Sequence, residues 1–207
     1  LAAFSASQAS GELAPYLMGG VRPEQRYSSI LSGQVTPAAS RWSRDLFALD
    51  CLDVPRTVYG RLQPKEGRES FARTCYQWSS RLTGEAPTYS LGWLARASSA
   101  AILQQWPEFQ ASLAQSRRGA PHVEWLAIRR TALADRYQPL DARRADAGYR
   151  ADLAVLLHGD AGLRELARRF VTLPELRSTI TEVAETVPAR QTKLLAAVRR
   201  ESGMEAR

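Results

Sequence analysis

Apolar residues recur along this chain at the three- and four-residue intervals of an α-helix, and nowhere alternate over the length a strand needs. Trp42, Leu46 and Leu49 lie at i, i+4 and i+7, predicting a helix over about 37–51 that Thr36 caps and Pro37 opens. Residues 52–65, with Pro55, Gly60 and Pro64, read as a connection. Phe71, Cys75, Trp78 and Leu82 form the stripe of a helix over about 66–83, ended by Gly84. Two more are expected at about 88–105, with Trp93, Ala97, Ala100 and Ala101 on one side, and 107–117, with Phe109 and Leu113. Trp106-Pro107 separates them and Gly119-Ala120-Pro121 stops the pair. The pattern resumes at about 122–137 (Trp125, Leu126, Ile128, Leu133) and 141–158 (Tyr149, Leu153, Leu156, Leu157). After a Gly159-Asp160 turn come a short helix marked by Leu163, Leu166, Ala167 and Phe170, another capped by Thr172, and a last one from Pro188.

Residues 1–36 are less regular and read as an extended N-terminal arm with a short helix near 23–32. Tyr16, Met18 and Tyr27 are its candidate apolar contacts. The expected organisation is therefore all-α: arm 1–36, helical hairpin domain 37–202, and a frayed C-terminus at 203–207.

Ala86-Pro87 and Ala120-Pro121 stand 34 residues apart, with one helix–turn–helix unit between them. In that unit Trp93, Ala97, Trp106 and Pro121 occupy places where the tetratricopeptide repeat carries a bulky, a small, a bulky turn and a proline residue. The unit resembles that family. Arg96 stands where the family prefers Leu and Phe109 where it prefers Ala, and the flanking units match poorly. The resemblance implies an irregular array of antiparallel helical hairpins that binds protein without catalysis. The strings from Pro87 to Ala97 and from Ala120 to Arg129 also resemble small tetratricopeptide-like accessory proteins of bacterial exopolysaccharide or O-antigen assembly. That resemblance implies a periplasmic, membrane-associated location and an inner-membrane protein partner.

Composition narrows the chemistry. The 207 residues carry 28 Lys and Arg against 21 Asp and Glu, a net charge of +7, and only Lys65 and Lys193 are lysines. No compact basic block of the kind nucleic-acid binders use is present, so nucleic acid is a disfavoured partner. Two histidines and two cysteines leave little for a metal site, and neither a metal nor a cofactor is expected. Nucleophile-elbow, phosphate-loop and dinucleotide motifs are absent. His158-Gly159-Asp160 reads as a helix end with Gly159 as a left-handed cap. Glu66, Glu69, Asp135 and Glu182 are the acids a glycan-modifying or lytic enzyme would draw on, the main alternative reading. Cys51 and Cys75 either bridge two helices, as an exported protein would, or are two separate buried thiols. The start at Leu1 fits a processed or truncated chain, with residues 1–4 as the remnant after a signal peptide or membrane anchor. On the helix over 122–137, Arg129 and Arg136 are expected to project into the apolar stripe beside Trp125. Trp93, Trp125, Arg129 and Arg136, with Tyr16, Met18 and Tyr27, are thus the candidate partner-binding residues, and an acidic protein segment or an anionic glycan is the ligand they suit.

Overall fold

A computed structural model describes residues 13, 22–35, 37 and 40–203, and among these every regular element is helical. The chain divides at 119/120 into two compact units, where the sequence pattern suggests a single helical domain over 37–202.

The first unit contains α1 (Pro23–Leu31), α2 (Arg41–Asp53), a 3-10 turn (Val54–Arg56), α3 (Val58–Leu62), α4 (Lys65–Glu85), α5 (Ser90–Ile102) and α6 (Trp106–Gly119). Helix α2 starts later than the Thr36-Pro37 signal suggests, because Ser40 makes the cap: its side chain accepts from the Ser43 N–H at 3.2 Å. The buried face of α2 is Ser43, Phe47, Ala48, Cys51 and Leu52, whereas Trp42 is 69% exposed. The expected stripe is therefore one residue out of phase. The expected connection at 52–65 is itself largely helical, with Thr57 capping α3 through the Gly60 N–H at 3.0 Å. Tyr27, a candidate apolar contact of the arm, lies in the core of its own unit: its ring stacks on Phe71 at 4.8 Å and meets Tyr59 edge-on.

Helix α5 is the centre of this unit. Ten of its thirteen residues are buried, and small Ala and Ser side chains let α2, α4 and α6 pack around it. Gln104, at φ 59°, turns the chain into α6. Cys51 on α2 and Cys75 on α4 form a disulfide with a Cα–Cα distance of 5.8 Å, resolving the two cysteine alternatives in favour of the bridge.

The second unit holds α7 (Glu124–Tyr137), α8 (Leu140–Ala145), α9 (Ala147–Leu156), α10 (Asp160–Thr172), a 3-10 turn (Pro174–Leu176), α11 (Arg177–Glu185) and α12 (Pro188–Glu201). The single helix expected over 141–158 is broken at Asp146, whose carboxylate accepts from the Gly148 N–H at 2.8 Å and starts α9 anew. Thr172 ends α10 instead of capping the next helix. Gly159 is extended, at φ −108°, and not a left-handed cap. The flexible Glu124 side chain places its carboxylate where a Cβ on Gly159 would stand. That carboxylate accepts from the Gly162 N–H, so a side chain from α7 satisfies the N-terminus of α10. Tyr149, Leu153, Leu156 and Leu157 supply the middle of this core, with Leu166, Leu176 and Ile180 around them.

Candidate partner-binding surfaces

The charges of the second unit sort into buried pairs and an exposed stripe. On α7 the buried side is Leu126, Ala127, Arg130, Thr131, Leu133 and Ala134. Arg130, not Arg129, is the arginine that enters the core. It is fully buried and donates through Nε and Nη2 to Asp152 Oδ1 at 2.9 and 2.6 Å. Asp135 receives Arg143 at 2.8 Å, the Tyr149 hydroxyl at 2.6 Å and Arg169 at 2.9 Å. Arg169, also fully buried, reaches Glu165 with its Nε at 2.8 Å. Burial raises the Tyr149 phenol, and the Asp135 charge and hydrogen bond raise it further. Burial also pushes the Glu165 carboxyl up, but Arg168 and Arg169 outweigh it and the net shift is downward.

The opposite side of α7 carries the residues singled out from the sequence. Trp125, Arg129, Ala132 and Arg136 fall within about 60° of one another around the helix axis and span about 16 Å. Trp125 is 46% exposed, Arg129 is half-buried, and Arg136 is exposed, with its guanidinium over the Tyr137 ring at 5.2 Å. Arg129 and Arg136 thus do not project into the apolar core face; they and Trp125 make one outward stripe. On the same unit, an open groove of about 600 Å³ runs between α10 and α12. Ala167, Ala196 and Ala197 line it, with Arg164, Lys193 and Arg200 and the carboxylates of Asp160 and Glu201 along it.

In the first unit Trp93 serves a local purpose. Its indole N–H donates to the Pro87 carbonyl at 2.8 Å, and Arg96 sits between its ring and that of Tyr76, at 5.1 and 5.3 Å. Arg96 also pairs with Glu108 at 2.8 Å. Arginine at this place therefore ties α4, α5 and α6 together, a task the Leu of the resembling family could not perform. Tyr16 and Met18 lie outside the described residues. A cavity of about 370 Å³, not anticipated from the sequence, opens between the segment after α1, helix α2 and helix α4. Its wall contains Phe47 and Trp78, whose rings pack at 4.6 Å and 51°. Helical periodicity marks Trp78 as a stripe residue but assigns Phe47 to no face.

Of the acids considered for catalysis, Glu69 pairs with Lys65 and Arg73, Glu182 with Arg150, and Asp135 is the hub described above. Among the described residues no cluster of His, Cys, Asp or Glu is arranged to hold a metal ion, and no helix is long and apolar enough to cross a membrane. Compared with models of known protein families, with curated proteins and with solved structures, the chain matches none.

Proposed function

We propose that this chain is a non-catalytic helical scaffold that holds a membrane-embedded partner from the periplasmic side, in an envelope polysaccharide assembly system. The observation that carries the reading is the outward stripe of α7, where an exposed tryptophan is followed along one helix face by Arg129 and Arg136. Exposed Trp and Arg are the side chains that most often dominate the energy of a protein interface. The stripe suits a partner segment with an apolar anchor and acidic flanks. The groove between α10 and α12 is of mixed charge, with Arg164, Lys193 and Arg200 beside Asp160 and Glu201, and the outward stripe of α7 alone supports an acidic partner. The Cys51–Cys75 bridge is compatible with an oxidising compartment. The finer architectural reading, an irregular tetratricopeptide-like hairpin array, draws its support from α5 and α6, a packed pair joined by a three-residue turn.

The test is mild-detergent purification from native membranes, with a photo-reactive residue at position 125. One stoichiometric membrane protein crosslinked there is the expected outcome. Trp125→Ala should then weaken the complex about thirtyfold, the consequence of losing a tryptophan anchor. A chain that emerges alone, or a complex indifferent to Trp125→Ala and Arg136→Glu, overturns the reading.

A further inference from the structure

The short helix α3 is built inside out. Val58 and Leu62 stand at i and i+4, within about 40° of each other around its axis. Gly60 lies on the opposite side and is buried. A Cβ on Gly60 would collide with the Val54 carbonyl and the Pro55 Cα, so α3 is seated on the preceding turn through its backbone. The two large aliphatic side chains therefore face solvent. Val58 is 65% exposed and Leu62 77%, the highest value for a large apolar residue among those described. Three contacts fix that orientation. Thr57 accepts from the Gly60 N–H at 3.0 Å, and Tyr59 rests edge-on against the buried Tyr27. Arg68 on α4 donates to the Gln63 carbonyl at 2.8 Å and holds the far end.

The surroundings are cationic. Arg56, Arg61, Lys65 and Arg68 are all exposed, and Glu66 is the one carboxylate between residues 56 and 68. Arg61 lies within about 100° of both aliphatic side chains on α3. The pairs of Arg56 with Asp53 at 4.0 Å and of Lys65 with Glu69 at 3.8 Å are long and exposed, and such pairs hold a cation weakly. These features distinguish between occupants. Protein interfaces draw most of their energy from Trp, Tyr and Arg set in pockets, and Leu and Val are under-represented among those anchors. Protruding aliphatic groups ringed by Arg and Lys are instead what holds a chain on an anionic bilayer. The aliphatic groups enter the acyl boundary while the cations meet headgroup charge, and a yielding lipid surface needs no matching pocket.

We infer that the tip formed by α3 docks on a membrane surface of anionic lipid, with Val58 and Leu62 entering the interface and Arg56, Arg61 and Lys65 lying at headgroup level. A tip of this size gives weak, reversible attachment, because stable anchoring takes more than one small apolar insertion. Nothing in this inference involves α7 or its stripe, so it stands or falls separately from the scaffold reading.

The experiment is flotation of the oxidised full chain with vesicles of phosphatidylcholine, alone or with about a third phosphatidylglycerol. Binding is expected to the anionic vesicles only and should weaken as salt rises. Cys51 and Cys75 are bridged, so a fluorophore can be placed on Leu62→Cys alone. A nitrobenzoxadiazole label there should shift to the blue on binding, and the same label on Ala114→Cys, exposed on α6, should not. Leu62→Gln and Arg61→Ala should each weaken binding about fivefold, the effect of one apolar insertion or one cation at the surface. Leu62→Trp should tighten it severalfold, a gain that a damaged fold cannot produce. The inference is overturned if anionic vesicles are not bound, if neutral vesicles are bound equally, or if the label at position 62 does not respond. Binding unchanged in Leu62→Gln also overturns it, since net charge alone would then hold the chain. So does a crosslink from position 62 to a protein in the absence of vesicle binding, which makes the tip a protein interface.

Discussion

Arg130 and Asp152 meet where water does not reach, which makes the cost of separating them large. Removing one member of a buried ion pair strands the other charge and costs about 3–5 kcal/mol. Asp152→Ala should accordingly destabilise the second unit by about that much in urea unfolding. Replacing both residues, as in Arg130→Met with Asp152→Leu, should recover most of the loss, since a packed apolar pair of similar volume is often no worse than the ion pair. The pair also marks how finely the sequence can be read. Periodicity locates α7 well, yet its buried arginine is Arg130 and not its neighbour Arg129. One residue is 100° of helix, and a stripe defined by a few apolar positions does not fix phase to that precision. The same slip places Trp42 and Leu46 inward in place of Ser43 and Phe47. Both errors arise beside tryptophan, a side chain large enough to look like core whichever way it points.

At the scale of elements, helix number and order are largely readable, because Pro, Gly and cap residues punctuate a strongly helical chain. Helix α3 and the break between α8 and α9 are not. Both depend on one side chain, Thr57 or Asp146, accepting a backbone N–H, and such a bond competes evenly with continuing or omitting a turn. The α4–α2 connection shows the other side of this scale, where a covalent bond replaces much local packing. Cys51 and Cys75 are 24 residues apart, and closing a loop of that length in the unfolded chain stabilises by about 3 kcal/mol. Cys51→Ser with Cys75→Ser should lower the stability of the first unit by about that amount. Chemical denaturation of the variant, monitored through Trp78 and its neighbours, checks it. An unchanged midpoint would mean that packing around α5 alone holds the helices.

The whole molecule is two cores, and they should respond oppositely to acid. In the first unit burial holds the Asp50 carboxyl above its ordinary range, and the nearby Arg26 offsets this only in part. The folded form therefore takes up a proton before the unfolded chain does, and this contribution to stability grows as pH falls through the folded value. Glu165 in the second unit is the reverse case. Arg168 and Arg169 outweigh its burial and hold it low, so its contribution is present above the ordinary glutamate range and is lost as pH falls through the lowered value. Scanning calorimetry from about pH 6 to about pH 3 should show the two transitions moving apart in favour of the first unit. Glu165→Gln should reduce that divergence, and the cysteine variant identifies which transition belongs to which unit. The division into two units is not visible in the sequence, since Gly119-Ala120-Pro121 resembles the other helix-ending turns of the chain. The disulfide also gives the first unit a direction in time. Both of its sulfurs belong to residues that precede α5 in the chain, so the bracket between α2 and α4 can be sealed without any residue of the helix that fills the unit's centre. Once sealed, the bracket would offer α5 and α6 a frame of fixed helix spacing to seat against.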